Sequence, residues 1–140
     1  MQGQIDSGTT PVGTEPMGGN ETILLVEDET ALRETTASIL QSAGYLVVQA
    51  ATATKAIQLA ETHSAPIQLL LTDVIMPHMS GVVLSKRLKT TMPHLKVMFA
   101  SGYGGDELAK QLSEATDAVF LPKPFSKDAL LKAVHAILHE

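Results

Sequence analysis

Short apolar runs recur from Thr22 onward, and segments of helical period fill the intervals between them. The runs 22–27, 45–50, 67–72, 96–101 and 117–121 are apolar nearly throughout, as strands covered on both faces are. Over 30–43, Leu32, Ile39, Leu40 and Ala43 return at helical spacing, and Gly44 follows as a stop. Over 127–139, Leu130, Leu131, Val134, Ile137 and Leu138 share one face, with Ser126 as the candidate N-cap. Shorter helical segments near 54–64, 81–91 and 105–114 complete the alternation.

Buried strands alternating with helices predict a doubly wound α/β fold, a five-stranded parallel sheet with helices on both faces. Strand order 2-1-3-4-5 is one of the two common arrangements of this kind, and it sets a crevice at the carboxyl ends of strands 1 and 3. Five such units fill residues 21–140 as one domain. Residues 1–20 differ in composition: Gly3, Gly8, Gly13, Gly18, Gly19, Pro11 and Pro16 stand among polar neighbours with few large apolar side chains. Such a stretch cannot offset its ordering entropy and reads as a flexible linker or tail.

Composition narrows the function. At 44% apolar and 18% charged, the 140-residue chain has ordinary globular content. Its formal net charge of -5 argues against nucleic-acid phosphates and anionic membrane surfaces as partners. With no Cys, thiolate catalysis and zinc–thiolate sites are excluded. No apolar stretch approaches a bilayer span and no signal-like leader opens the chain, so the expected location is cytoplasmic, without membrane contact.

Chemistry collects at the ends of the predicted strands. Asp73 closes the run Ile67–Thr72 just before a turn marked by Pro77 and Gly81; Glu27 ends the first run with Asp28 after it, Ser101 ends the fourth, and Lys123 lies just past the fifth. Carboxylates converging at one sheet edge repel, at roughly 4 kcal/mol per pair 4 Å apart for an effective dielectric near 20. A hard divalent cation relieves that, and Mg²⁺ commonly joins one or two carboxylates to a phosphate oxygen. An Asp with Mg²⁺, a Lys and a hydroxyl can attack phosphorus to form an acyl phosphate. Lys123 and Ser101 are suitable donors to the added oxygens, and Gly102 keeps that loop free of bulk.

Residues 22–139 resemble the receiver domain of two-component response regulators. The family's acidic pair matches Glu27 and Asp28, its phosphoacceptor Asp73, its hydroxyl position Ser101 and its Lys-Pro Lys123-Pro124. The resemblance implies the flavodoxin-like receiver fold and a Mg²⁺ site of Glu27, Asp28, Asp73 and the backbone carbonyl of Ile75. It also implies a cis Lys123–Pro124 bond and a phosphoryl group taken from a histidine kinase. Switching would run through Ser101 and the aromatic position three before the Lys, here Phe120, which lacks the hydroxyl of the Tyr common there. Ile75 and Tyr103 match positions that influence phosphoryl lifetime. Apolar Ile75 cannot orient an attacking water, which implies slow to moderate self-dephosphorylation. Beyond these self-reactions the chain is not expected to be an enzyme.

The stretches Ser101–Gly105 and Phe120–Ser126, with the Gly-rich lead-in, are similar to receivers at the C-terminal end of hybrid sensor histidine kinases. That implies onward transfer to a histidine phosphotransfer protein. A free-standing single-domain regulator and a phosphorylation-silent contact module are the alternatives. A phosphatase of the dehalogenase kind needs a second Asp where Ile75 stands, and a P-loop is absent. His135 and His139, at i and i+4, read as a surface pair rather than a metal site.

Overall fold

A computed structural model describes residues 19–63, 65–102 and 118–139. Within them the strands are β1 (Thr22–Val26), β2 (Leu46–Ala50), β3 (Leu69–Asp73), β4 (Lys96–Ser101) and β5 (Val119–Pro122). The helices are α1 (Thr30–Ser42), α2 (Ala53–Thr62), α3 (Gly81–Thr91) and α4 (Lys127–Leu138). All strand pairs are parallel, as the alternating pattern predicts, and the order is β2-β1-β3-β4-β5, the expected one of the two common arrangements. The helix expected over 105–114 and the linker expected over 1–20, apart from Gly19 and Asn20, lie outside the described residues.

Period-two alternation along the strands divides the core in two. Leu24, Val26, Leu70, Val97 and Phe99 pack with Ala53 and Ala56 of α2 and Val82, Leu84 and Leu88 of α3. Ile23, Leu25, Leu69, Leu71, Met98 and Leu121 point the other way, onto Ala37 and Leu40 of α1 and Leu130, Leu131, Val134 and Ile137 of α4. β1 and β3, central in the sheet, are buried along their whole length, which is why they read as unbroken apolar runs.

Element ends shift for local reasons. Tyr45, expected in the second strand, precedes β2 and donates its backbone N–H to Leu40 O, closing the end of α1. Gly44 reverses the chain there at φ +100°, where its backbone lies against Gly19 O. β3 begins at Leu69; just before it, Gln68 accepts the Thr22 N–H at its side-chain oxygen at 2.7 Å and donates its own N–H to Thr22 O at 2.9 Å. β3 also extends through Asp73, so this carboxylate belongs to the strand rather than to the turn after it. Ser80 and Ser126 cap α3 and α4, accepting from the Val83 and Ala129 N–H groups.

Gly81 fixes the turn beside Asp73. Its N–H donates to Val74 O at 2.8 Å, and a Cβ added there would stand 1.9 Å from Asp73 O. The obstacle is backbone, which cannot swing aside. Gly81→Ala is therefore expected to cost roughly 1–3 kcal/mol in urea unfolding. An unchanged midpoint would show that the turn tolerates a side chain.

Candidate functional site

The parallel register places the chemical groups side by side. Val26 pairs with Thr72 and Asp73 with Ala100, so Glu27 and Asp73 leave adjacent strands at one level. Ser101 pairs with Pro122, one residue before Lys123; the Ser101 side chain lies outside the described part of the structure. Backbone bonds hold the β1 exit: Glu27 N–H donates to Ala50 O, and Arg33 N–H to Glu29 O.

Lys123 bridges two carboxylates. Its Nζ lies 2.6 Å from Asp73 Oδ1 and 2.8 Å from Glu27 Oε1. Glu27, only 6% exposed, uses its other oxygen to accept the Glu29 N–H at 3.1 Å. Asp28 is exposed, yet Glu27, Asp28 and Asp73 each bring a carboxylate oxygen within 4.8 Å of the others. Among the described residues this is the one such cluster of three. The Lys123–Pro124 peptide is cis, as the resemblance implied.

Burial and pairing set these groups apart. Burial raises the Asp73 pKa most, Lys123 opposes it, and the Glu27 charge adds to it, leaving Asp73 pushed up to about 7. Burial also works against ionised Glu27, but Lys123 and the Glu29 N–H outweigh it and hold that carboxyl below its ordinary value. For Lys123, burial is overcome by the two carboxylates and its pKa is raised. Without a cation the site thus keeps Glu27 ionised and Lys123 charged, while Asp73 is the poorly compensated member.

The donor set fits a hard divalent cation, because every ligand atom in the cluster is a carboxylate oxygen. Glu27 already spends both oxygens, which leaves Asp28 and the Asp73 oxygen not held by Lys123 as the more available donors. Ile75 follows two residues after Asp73 with its side chain 62% exposed. Phe120 is half-buried against the core beneath α2 and α3 and pairs with Phe99 in the register. Tyr103 lies outside the described residues.

A model of the response regulator receiver domain matches residues 23–135. The chain belongs to this family. The receiver is 39% identical over 124 residues to the sensor kinase CckA of Brucella abortus, a match covering 89% of this chain and 13% of that protein. It is 34% identical to the response regulator receiver protein CpdR of the same organism, over 83% of this chain and 95% of that one. Among solved structures, the chemotaxis protein CheY4 of Vibrio cholerae superposes with a TM-score of 0.75 at 28% identity, covering 86% of this chain and all of that one. The fold is thus the flavodoxin-like receiver fold. This receiver spans a small part of some relatives and nearly all of others.

One residue of the site carries no signal in the receiver's sequence pattern. Arg33, one turn into α1, donates from Nη1 to the backbone carbonyl of Glu27 at 2.9 Å. An Arg on an amphipathic helix ordinarily faces solvent, and only the fold shows that this one turns back over the β1 exit.

Proposed function

We propose that Asp73 is the phosphoacceptor of this receiver, that Glu27, Asp28, Asp73 and the Ile75 carbonyl hold Mg²⁺, and that a histidine kinase supplies the phosphoryl group. The observation that carries this reading is the Lys123 ammonium, which is fixed on Asp73 Oδ1 beside two further carboxylates at the strand ends. Attack by an Asp73 oxygen on the phosphorus of a phosphohistidine forms the P–O bond while the P–N bond breaks, and the imidazole nitrogen keeps the electron pair. Lys123 orients Asp73 for that attack and remains beside the dianionic product, where its charge offsets part of the added negative charge. Bound Mg²⁺ would supply charge neutralisation between the carboxylates and the incoming phosphoryl oxygens.

Ser101 and Phe120 are the proposed switch. The Ser101 backbone stands one residue beyond the level of Asp73, on the neighbouring strand, and Phe120 is only half-buried where it packs against the core. The exposed, apolar Ile75 side chain offers no group to activate water, which supports slow self-dephosphorylation. We assign the domain to the cytoplasm; among the described residues no helix is long and apolar enough to cross a membrane. The identity to a sensor kinase supports a receiver that works within a hybrid kinase; in that setting the proposed onward acceptor is a histidine phosphotransfer protein. The match over 95% of a receiver protein supports the free-standing alternative.

The test is incubation with acetyl phosphate, with and without Mg²⁺, read by intact mass. One phosphoryl adduct is expected with Mg²⁺ and none after chelation by EDTA. No adduct in either case would leave the silent contact module as the better reading.

A further inference from the structure

We infer that Arg33 is a positioning residue for the metal site: its bond to the Glu27 carbonyl holds the 27–28 peptide in the orientation that presents Asp28 to the cation. This rests on the Mg²⁺ reading above and adds to it a residue that touches neither metal nor phosphoryl group.

Among the acidic groups, Asp28 has the weakest anchorage. Glu27 is buried and tied through both carboxylate oxygens, and Asp73 is tied to Lys123. Asp28 is exposed, two residues beyond the last β1 residue and two before α1 starts. Its placement therefore depends on the peptide that links it to Glu27. The N–H of Glu27 is fixed by Ala50 O, and the carbonyl of Glu27 is fixed by Arg33 Nη1 at 2.9 Å in a half-buried setting. Arg33 is itself held, because its own N–H donates to Glu29 O as α1 begins. The guanidinium thus closes a short loop from the helix back to the strand exit, with Asp28 inside it. Removing the donor leaves a partly buried carbonyl without that partner, and a rotation of this peptide to find water would carry Asp28 away from Asp73.

Charge and position predict opposite signs here, which makes the inference testable. Arg33 is a cation near an acidic metal site, so as a charge alone it weakens binding of Mg²⁺, and removing it should tighten binding. As a positioning residue it strengthens binding, and removing it should loosen binding. Arg33→Met keeps the apolar stem and loses the donor; Arg33→Lys keeps a donor and the charge. Mg²⁺ affinity, measured by amide NMR titration of the full chain, is expected to fall about tenfold in Arg33→Met, or about 1.4 kcal/mol, and to recover most of that in Arg33→Lys. At saturating Mg²⁺ the rate of labelling by acetyl phosphate in Arg33→Met should return to within about twofold of the parent, because the chemistry itself does not use Arg33. Unchanged or tighter Mg²⁺ binding in Arg33→Met overturns the inference, and so does a rate that stays low at saturating Mg²⁺. Urea unfolding of both variants shows that each is folded. If the parent protein itself shows no Mg²⁺ response, the proposed function has failed rather than the role of Arg33.

Discussion

Asp73→Asn is expected to take up no phosphoryl group from acetyl phosphate and Mg²⁺ under conditions in which the parent protein is labelled to near completion. The substitution removes the nucleophilic oxygen while keeping size and shape, and an amide nitrogen or oxygen does not form a comparable acyl phosphate. Lys123 keeps its second anchor, Glu27 Oε1 at 2.8 Å, so the site should not collapse with the loss of Asp73 Oδ1 at 2.6 Å. Intact mass should show the parent gaining one adduct and the variant none. Amide shifts on addition of beryllofluoride should likewise spread from Asp73 toward Ser101 and Phe120 in the parent alone. Equal labelling of both proteins would move the acceptor elsewhere, and Asp28 would then be the next carboxylate to test. Labelling of neither would count against phosphoacceptance itself.

Much of this site was legible because the strands are buried on both faces. Ile23–Val26 and Leu69–Leu71 have no solvent side to interrupt their apolar runs, so the residues that end them, Glu27 and Asp73, stand out as charged groups at a sheet edge. Order 2-1-3-4-5 then brings them together. That Lys123 could pair with Asp73 was legible too, but its second bond, to Glu27 Oε1, was not. Its position depends on the β4–β5 register, Ser101 opposite Pro122, which sets Lys123 just past the level of Ser101, and the pattern of residue types does not fix that register. Strand ends shifted by a residue or two, and at Gln68 both backbone and side chain bond Thr22 just before β3 begins. Arg33 was invisible for a different reason: a side chain bonding a backbone carbonyl leaves no partner in the pattern of residue types.

The same electrostatics makes the fold sensitive to pH when no divalent cation is present. In the unfolded chain Asp73 titrates near 4, whereas in the fold burial and the Glu27 charge, only partly opposed by Lys123, push it up to about 7. Over that interval the folded state binds more protons than the unfolded one, so stability falls as pH rises, and the fall is complete once pH passes the folded value. Glu27 has the opposite shift, but its contribution changes below its ordinary value of 4.5, and that of Lys123 changes only in the alkaline range. Between pH 5 and 8 the Asp73 effect therefore stands alone among these three groups. Urea unfolding in EDTA is expected to show a loss of about 2 kcal/mol across this window. Asp73→Asn, which carries no charge to compensate, should lose most of that slope and exceed the parent in stability at pH 8. Addition of Mg²⁺ should act the other way on the parent, raising its stability most at pH 8, where the carboxylates are ionised, by about 2.7 kcal/mol at a hundredfold excess over the dissociation constant. Metal-free stability that is flat or rising from pH 5 to 8, or a slope unchanged in Asp73→Asn, would show that Lys123 fully compensates the cluster and that a cation is not needed to relieve it.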